Sequence, residues 1–211
     1  MKYILFSDIH FDISSCKSII RKTENADIAI GAGDYALFRK DLKKSINLLS
    51  GIKIPTVLVP GNHETLSELT DACEGLNNFH VLHGNSVEIN GVVFMGIGCA
   101  IPITPFLPWS VDLSEEDALK FLSKPVLSQH DRDFVFITHS PPFGCLDTMY
   151  KNKNIGSKTI RAFIEQYNPS FVVCGHIHEM WNRKSHINGI PVINCGPQGY
   201  EFEYDGHGSG I

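Results

Sequence analysis

Short apolar runs alternate with amphipathic stretches through the first half of the chain, and this alternation restricts the fold more than any other feature. Tyr3–Phe6, Ile28–Gly31 and Thr56–Val59 have the length and composition of buried strands. Between them, Cys16–Glu24 and Lys40–Leu49 read as helices. Links this short between strand and helix predict a mostly parallel sheet covered by helices, an α/β fold. Phe79–Leu82 and Val92–Gly96 extend the strand series. Asn90-Gly91, between Val87–Ile89 and Val92–Phe94, signals a hairpin.

The second half has longer irregular stretches. Ile97–Leu113 contains Pro102, Pro105 and Pro108 and reads as a long loop. Ser114 is a good N-cap for the helix that follows, with Asp117 three residues on and Glu115 and Glu116 in the first turn. Phe134–Thr138 is a strongly apolar strand, and His139–Gly156 a second long loop. Ser157 caps a helix over Lys158–Tyr167. Strands follow at Phe171–Cys174, around Trp181–His186 and at Ile190–Cys195, the last two joined by Asn188-Gly189. Residues 1–205 read as one domain and Gly206–Ile211 as a disordered tail.

Composition narrows the function. The 211 residues are 43% hydrophobic and 19% charged, enough to bury a sizeable core. No run of eighteen apolar residues occurs and the N-terminus lacks a signal-peptide pattern, so the expected home is the cytoplasm, with no membrane partner. Cys16, Cys73, Cys99, Cys145, Cys174 and Cys195 form no C-x-x-C pair and are expected as reduced, mostly buried thiols. The net charge is −5 without a basic cluster, which argues against long nucleic acid as a partner. A small phosphorylated substrate held through metals needs no basic face. The oligomeric state is not specified.

The informative polar residues sit where the apolar runs end. Tyr3–Phe6 runs into Asp8 and His10, Ile28–Ile30 into Asp34, and Thr56–Val59 into Asn62 and His63. Phe134–Thr138 runs into His139, and Phe171–Cys174 into His176 and His178. In an open α/β sheet, ligands gather beyond the carboxyl ends of the strands, so these ends point to one place. Asp8-Ile9-His10 offers a carboxylate and an imidazole two residues apart, which an extended segment would point the same way. Asp34 has two carboxylate oxygens and can bridge two ions. Asn62 offers an amide oxygen. The preceding glycines, Gly33, Gly61 and Gly175, allow sharp turns and close approach. Each motif alone is as compatible with a solvated turn or a structural histidine; the ordered set is not.

The series Asp8-Ile9-His10, Gly33-Asp34, Gly61-Asn62-His63-Glu64, Thr138-His139 and Gly175-His176-Ile177-His178 resembles the calcineurin-like metallophosphoesterase superfamily over nearly the whole chain. The stretch from His139 to Glu179 is similar to small prokaryotic members and to the branch of metallophosphoesterase-domain proteins. The resemblance implies a four-layer α/β/β/α sandwich and two divalent metal ions. It places Asp8, His10 and His178 on the first ion and Asn62, His139 and His176 on the second, with Asp34 bridging. His63 would face the substrate phosphate, beside Asn62, as the catalytic side chain. The oxygen and nitrogen donors suit Mn, Fe, Zn or Co. Two such ions about 3.5–4 Å apart can hold a hydroxide for in-line attack on phosphorus. His63 could then protonate the leaving oxygen.

One departure limits the substrate class. Protein phosphatases of this superfamily carry an aspartate three residues after the bridging one, where Leu37 stands here. The partner of His63 is therefore open, with Glu64 one candidate. The expected activity is hydrolysis of a phosphodiester or phosphomonoester of a small or nucleotide-like molecule, phosphodiesterase ahead of phosphoprotein phosphatase. The alternative is a non-catalytic scaffold of the same fold. His80, His83, His130, His186 and His207 fall outside the motifs and read as structural or surface residues. Trp109, Asp147 and Asn152 are secondary substrate-site candidates.

Overall fold

A computed structural model describes residues 1–126, 133–149 and 153–205. Its first sheet is built from β1 (Lys2–Phe6), β2 (Ile28–Gly31), β3 (Thr56–Leu58) and β4 (Phe79–Val81), all parallel. The helices α1 (Ile13–Thr23), α2 (Leu42–Leu49) and α3 (Leu66–Ala72) connect them. The second sheet contains β5 (Asn85–Ile89), β6 (Val92–Ile97), β7 (Phe134–Thr138), β10 (Phe171–Cys174), β11 (Arg183–Ile187) and β12 (Ile190–Asn194). Its order is β11-β12-β10-β7-β6-β5, with β12, β10, β7 and β6 parallel and an antiparallel strand at each edge. The helices α4 (Glu115–Val126) and α5 (Lys158–Tyr167) serve this sheet. The tail expected at Gly206–Ile211 lies outside the described residues.

Three apolar clusters order the layers. Leu5, Ile30 and Val57 of the first sheet pack with Phe94, Ile137, Phe171 and Val173 of the second in one core. The other face of the first sheet (Ile4, Phe6, Ala29, Leu58) packs against Cys16 and Ile19 of α1 and Ile46 and Leu49 of α2. The other face of the second sheet (Phe136, Val172, Val192) packs against Leu122 of α4 and Ile160 and Phe163 of α5. Alternate residues of each strand thus serve opposite layers, giving the expected helix–sheet–sheet–helix order. In α2 the buried set Leu42, Ser45, Ile46, Leu49 follows the i, i+3, i+4, i+7 seam. Ile46→Ala would empty the middle of that seam, at a cost of about 2–5 kcal/mol.

The elements differ from the sequence expectations in several places. Helix α1 starts earlier, at Ile13, because Asp12 caps it by accepting from the Ser14 and Ser15 amides. Helix α2 starts later, at Leu42, because Leu37–Lys40 forms a tight turn. Helix α3 is an addition, started by a complete capping box of Thr65 and Glu68. A final strand, β13 (Tyr200–Glu203), pairs antiparallel with β1 and closes the edge of the first sheet. The loop after His139 also contains a short hairpin of β8 (Thr148–Met149) and β9 (Lys153–Asn154). The caps at Ser114 and Ser157 form as read. All six cysteines are buried. No helix among the described residues is long and apolar enough to cross a membrane.

Candidate metal centre

The carboxyl ends of β1, β2, β3, β7 and β10 deliver the ligand-type side chains to one place. Backbone there is tightly constrained. Gly61 lies against Asp34, and a Cβ at that position would collide with the Asp34 carboxylate and amide. A Cβ at Gly175 would meet Ser7 Oγ at 2.5 Å and Asp8 Oδ2 at 2.6 Å. Asp8 (φ 53°), His10 (φ 47°), Asp34 (φ 60°) and His176 (φ 68°) all adopt the left-handed region. For residues with a Cβ this costs about 1–3 kcal/mol each and concentrates at functional sites. Asp8 and His10 therefore share a side through two left-handed residues, not through the extended segment expected from the sequence.

The ligand atoms converge in groups. Asp8, His10 and His178 form one, and Asp34, His139 and His176 another, with the ligand atoms of each group within 4.8 Å of one another. Donors held about 2.0–2.2 Å from one ion fit that spacing. His10 Nε2 and His178 Nε2 face each other at 3.4 Å, with Asp8 Oδ1 3.7 Å from the latter. Asn62 Oδ1 lies 3.0 Å from His139 Nε2. Asp34 Oδ2 lies between the groups, 3.4 Å from His139 Nε2 and 3.9 Å from His10 Nε2. Its Oδ1 is occupied by the His63 amide at 2.9 Å. Oδ2 is therefore the Asp34 oxygen turned toward both groups. His10, Asp34 and His63 make a third ligand-capable group, with His63 Nε2 3.7 Å from Asp34 Oδ2.

Hydrogen bonds at the far side of each ring set its role. A carbonyl can only accept, so Nδ1 of His10 donates to Ala36 O (3.1 Å) and Nδ1 of His139 donates to Ala32 O (2.7 Å). Each neutral ring then presents an Nε2 lone pair to the centre, the arrangement metal-ligating histidines require. His63 has the opposite polarity: its Nδ1 accepts from the Phe38 amide at 2.9 Å. The proton of the neutral ring then sits on Nε2, which is a donor and has no lone pair for an ion.

The supporting residues were largely invisible in the sequence. Asn62 Nδ2 donates to Ser110 Oγ (2.9 Å), whose hydroxyl donates to Asp112 Oδ1, so the Asn62 oxygen is turned inward. Trp181 Nε1 donates to Asp8 Oδ2 (3.1 Å), and its ring lies 4.2 Å from that of His178. Glu64 does not partner His63. It is fully buried and accepts from the amides of Asp34 (2.8 Å), Gly61 (2.7 Å) and Ala36 (3.0 Å), clamping two ligand loops together. Asp147 Oδ2 accepts from the Gly144 and Gly156 amides and closes the base of its own loop. Asn152 and the histidines at 130 and 207 lie outside the described residues. His83 accepts from the Gly98 amide and packs on Phe121, a structural role.

Crowding shifts the titration of these groups. Burial alone would raise the Asp34 carboxyl, but His139, His63 and His10 around it hold it well below the usual carboxylate range. Burial likewise opposes protonation of His139, yet Asp34 raises it to about 9. Burial and then His139 push His176 down to about 3. Burial lowers His63 to about 4 against the pull of Asp34. Burial and Asp34 raise Glu64 to about 7. Such dense perturbation is typical of functional sites.

Known proteins resemble this chain in sequence and in fold. The protein MJ1162 of Methanocaldococcus jannaschii is 29% identical over 213 residues, covering 97% of this chain and 92% of its own length. The crystal structure of TT1561 from Thermus thermophilus superposes with a TM-score of 0.75 at 16% identity, over 93% of this chain and 89% of that one. A dimetal phosphatase from Danio rerio superposes with a TM-score of 0.64 at 12% identity, over 96% and 92% of the two chains. These two structural likenesses concern the fold. The sequence profile described as calcineurin-like phosphoesterase matches residues 1–180, across all the ligand-bearing strand ends, and the chain belongs to that family.

Proposed function

We propose that this protein is a dinuclear metal-dependent phosphoesterase acting on a small phosphoester, with diesters accepted and phosphoproteins poor substrates. The observation that carries it is the pair of ligand groups, Asp8–His10–His178 and Asp34–His139–His176, facing one shared Asp34 oxygen. When bound, two divalent ions supply the Lewis acidity that activates water and offsets charge on the phosphoryl oxygens. The chain's own contribution is to fix donors and charge. Asp34 Oδ2 and the Nε2 lone pairs of His10 and His139 are held by bonds on their far sides. Asn62 Oδ1 is aimed by Ser110. His63 donates Nε2–H to a phosphoryl oxygen, where a preorganised donor counts most as charge develops.

The same polarity argues against His63 as the acid for the leaving group. A neutral ring that gave up its Nε2 proton would become an imidazolate, because Nδ1 already accepts from Phe38. The lack of a carboxylate at Leu37 supports the exclusion of phosphoproteins, since the partner of His63 is a backbone amide.

The test is a substrate panel with Mn-reconstituted protein: bis-p-nitrophenyl phosphate, p-nitrophenyl phosphate, cyclic nucleotides and a phosphoprotein. Metal-dependent hydrolysis of at least one small ester, faster than of the phosphoprotein, is expected. Faster turnover of the phosphoprotein would contradict the reading of Leu37.

A further inference from the structure

Among the described residues the same tight turn occurs three times, and one of the three has the wrong residues for it. Asn90 (φ 53°) and Gly91 (φ 78°) link the paired Ile89 and Val92; Asn188 (φ 49°) and Gly189 (φ 86°) link the paired Ile187 and Ile190. Asn-Gly is the pair such a turn selects, because both central residues must be left-handed. The third instance joins Leu37 to Lys40, which exchange both backbone hydrogen bonds, at 3.1 and 2.9 Å. Its central residues are Phe38 (φ 48°) and Arg39 (φ 66°). Bulky residues are strained in this region, and such strain persists only where surrounding contacts hold it.

Those contacts lead to the metal centre. The Phe38 amide holds His63, and the Arg39 guanidinium is held by Glu68 through two bonds of 3.1 and 2.6 Å. The Phe38 ring lies 5.2 Å from the His63 ring and 4.9 Å, edge on, from Trp109, which itself lies 4.3 Å from His63. Trp109 precedes Ser110, which orients the ligand Asn62, so this wall is tied to the ligand set from both sides. Yet Phe38 keeps 52% of its surface exposed. An aromatic ring placed at a cost in backbone strain, left half in water and set against a site histidine whose Nδ1 accepts a hydrogen bond instead of donating one, is not explained by packing.

We propose that Phe38 and Trp109 form an apolar wall that receives the organic group of the substrate, selecting phosphoesters with an aromatic or apolar group close to the phosphorus. This rests on the phosphoesterase reading: His63 marks where the phosphoryl oxygens lie, and the wall begins one ring beyond it. The wall acts on binding of the organic group, and neither ring supplies a donor to the metal site.

The experiment is calorimetric titration of the Mn-loaded full chain with methylphosphonate and phenylphosphonate, which share a head group and differ in the ring. Phenylphosphonate should bind about tenfold tighter, the size of one aromatic contact with partial ring burial. In Phe38→Ala and Trp109→Ala the two should bind almost equally, with metal content unchanged, because the alanine at 38 keeps the amide that holds His63. The double variant F38N/R39G installs a turn this chain already folds twice. It should lose the same preference while its metal-free form melts about 2–4 °C higher as strain is released. Metal-dependent binding of methylphosphonate without a preference for the phenyl compound overturns the wall and leaves the phosphoesterase reading intact. So does a preference that survives in Phe38→Ala. Binding of neither compound to metal-loaded protein overturns both.

Discussion

The amide of Phe38 donates to Nδ1 of His63 across 2.9 Å, whereas the corresponding nitrogens of His10 and His139 donate to carbonyls. In the proposed site, this one bond polarity would separate a phosphate-facing donor from two metal ligands. Replacing His63 with alanine should leave both metals bound and lower turnover about 10²–10³-fold, the usual effect of losing one preorganised donor. The loss should be similar for p-nitrophenyl esters and for alkyl esters of the same phosphate. A much larger loss on the alkyl esters would restore His63 as a proton donor to the leaving oxygen. Loss of a metal would make it a ligand.

Asp34 Oδ2 faces both ligand groups, while His10 faces one. Asp34→Asn should therefore reduce turnover at saturating metal more than His10→Gln does. Steady-state rates of the two variants at matched metal occupancy decide this, and a faster Asp34→Asn enzyme would rule out the bridge.

Ser110 accepts from Asn62 Nδ2 and donates to Asp112. Without it the Asn62 amide is free to rotate its oxygen away from His139. Ser110→Ala should weaken metal affinity at that position about 10–100-fold, as removal of an outer-shell partner typically does. Ser110→Thr should restore it. Metal titration of the three proteins reads the effect, and an unchanged affinity in Ser110→Ala would remove the relay from the account.

In the metal-free protein, burial disfavours charge on His139 but Asp34 raises it to about 9, from an ordinary 6.5. A raised folded-state value means its stabilisation is complete below pH 6.5 and lost as pH climbs through 9. The melting temperature of metal-free protein should accordingly fall between about pH 7 and 9, and loading metal in that range should release protons. A melting temperature that rises over the same interval would show that the Asp34–His139 pair does not carry this charge.

The strand ends and the residues they carry were legible because parallel strands display period and burial in their composition, and because Asp8, His10, Asp34, Asn62, His63, His139, His176 and His178 all follow strand signals directly. The four-layer order came from family resemblance; the local pattern of β1 to β3 alone predicts a covered sheet and does not say that a second sheet shares its core. Backbone contributions were not legible. Nothing in Leu37-Phe38-Arg39-Lys40 announces a left-handed turn, since its residues disfavour one, so the partner of His63 could not be read. Ser110 and Trp181 act across 48 and 173 residues of sequence, a reach that local pattern does not carry. Helix α3 is a different case, because the Thr65–Glu68 capping box was present in the sequence to be read.

Two ions sharing Asp34 are what would make this chain a phosphoesterase. Metal-stripped protein should be titrated with Mn²⁺ while hydrolysis of bis-p-nitrophenyl phosphate and p-nitrophenyl phosphate is followed. Turnover of at least one ester should appear with added metal, reach its plateau near two equivalents per chain, and be lost on chelation. A plateau at one equivalent, or full occupancy by two ions with no turnover of either ester, would contradict it.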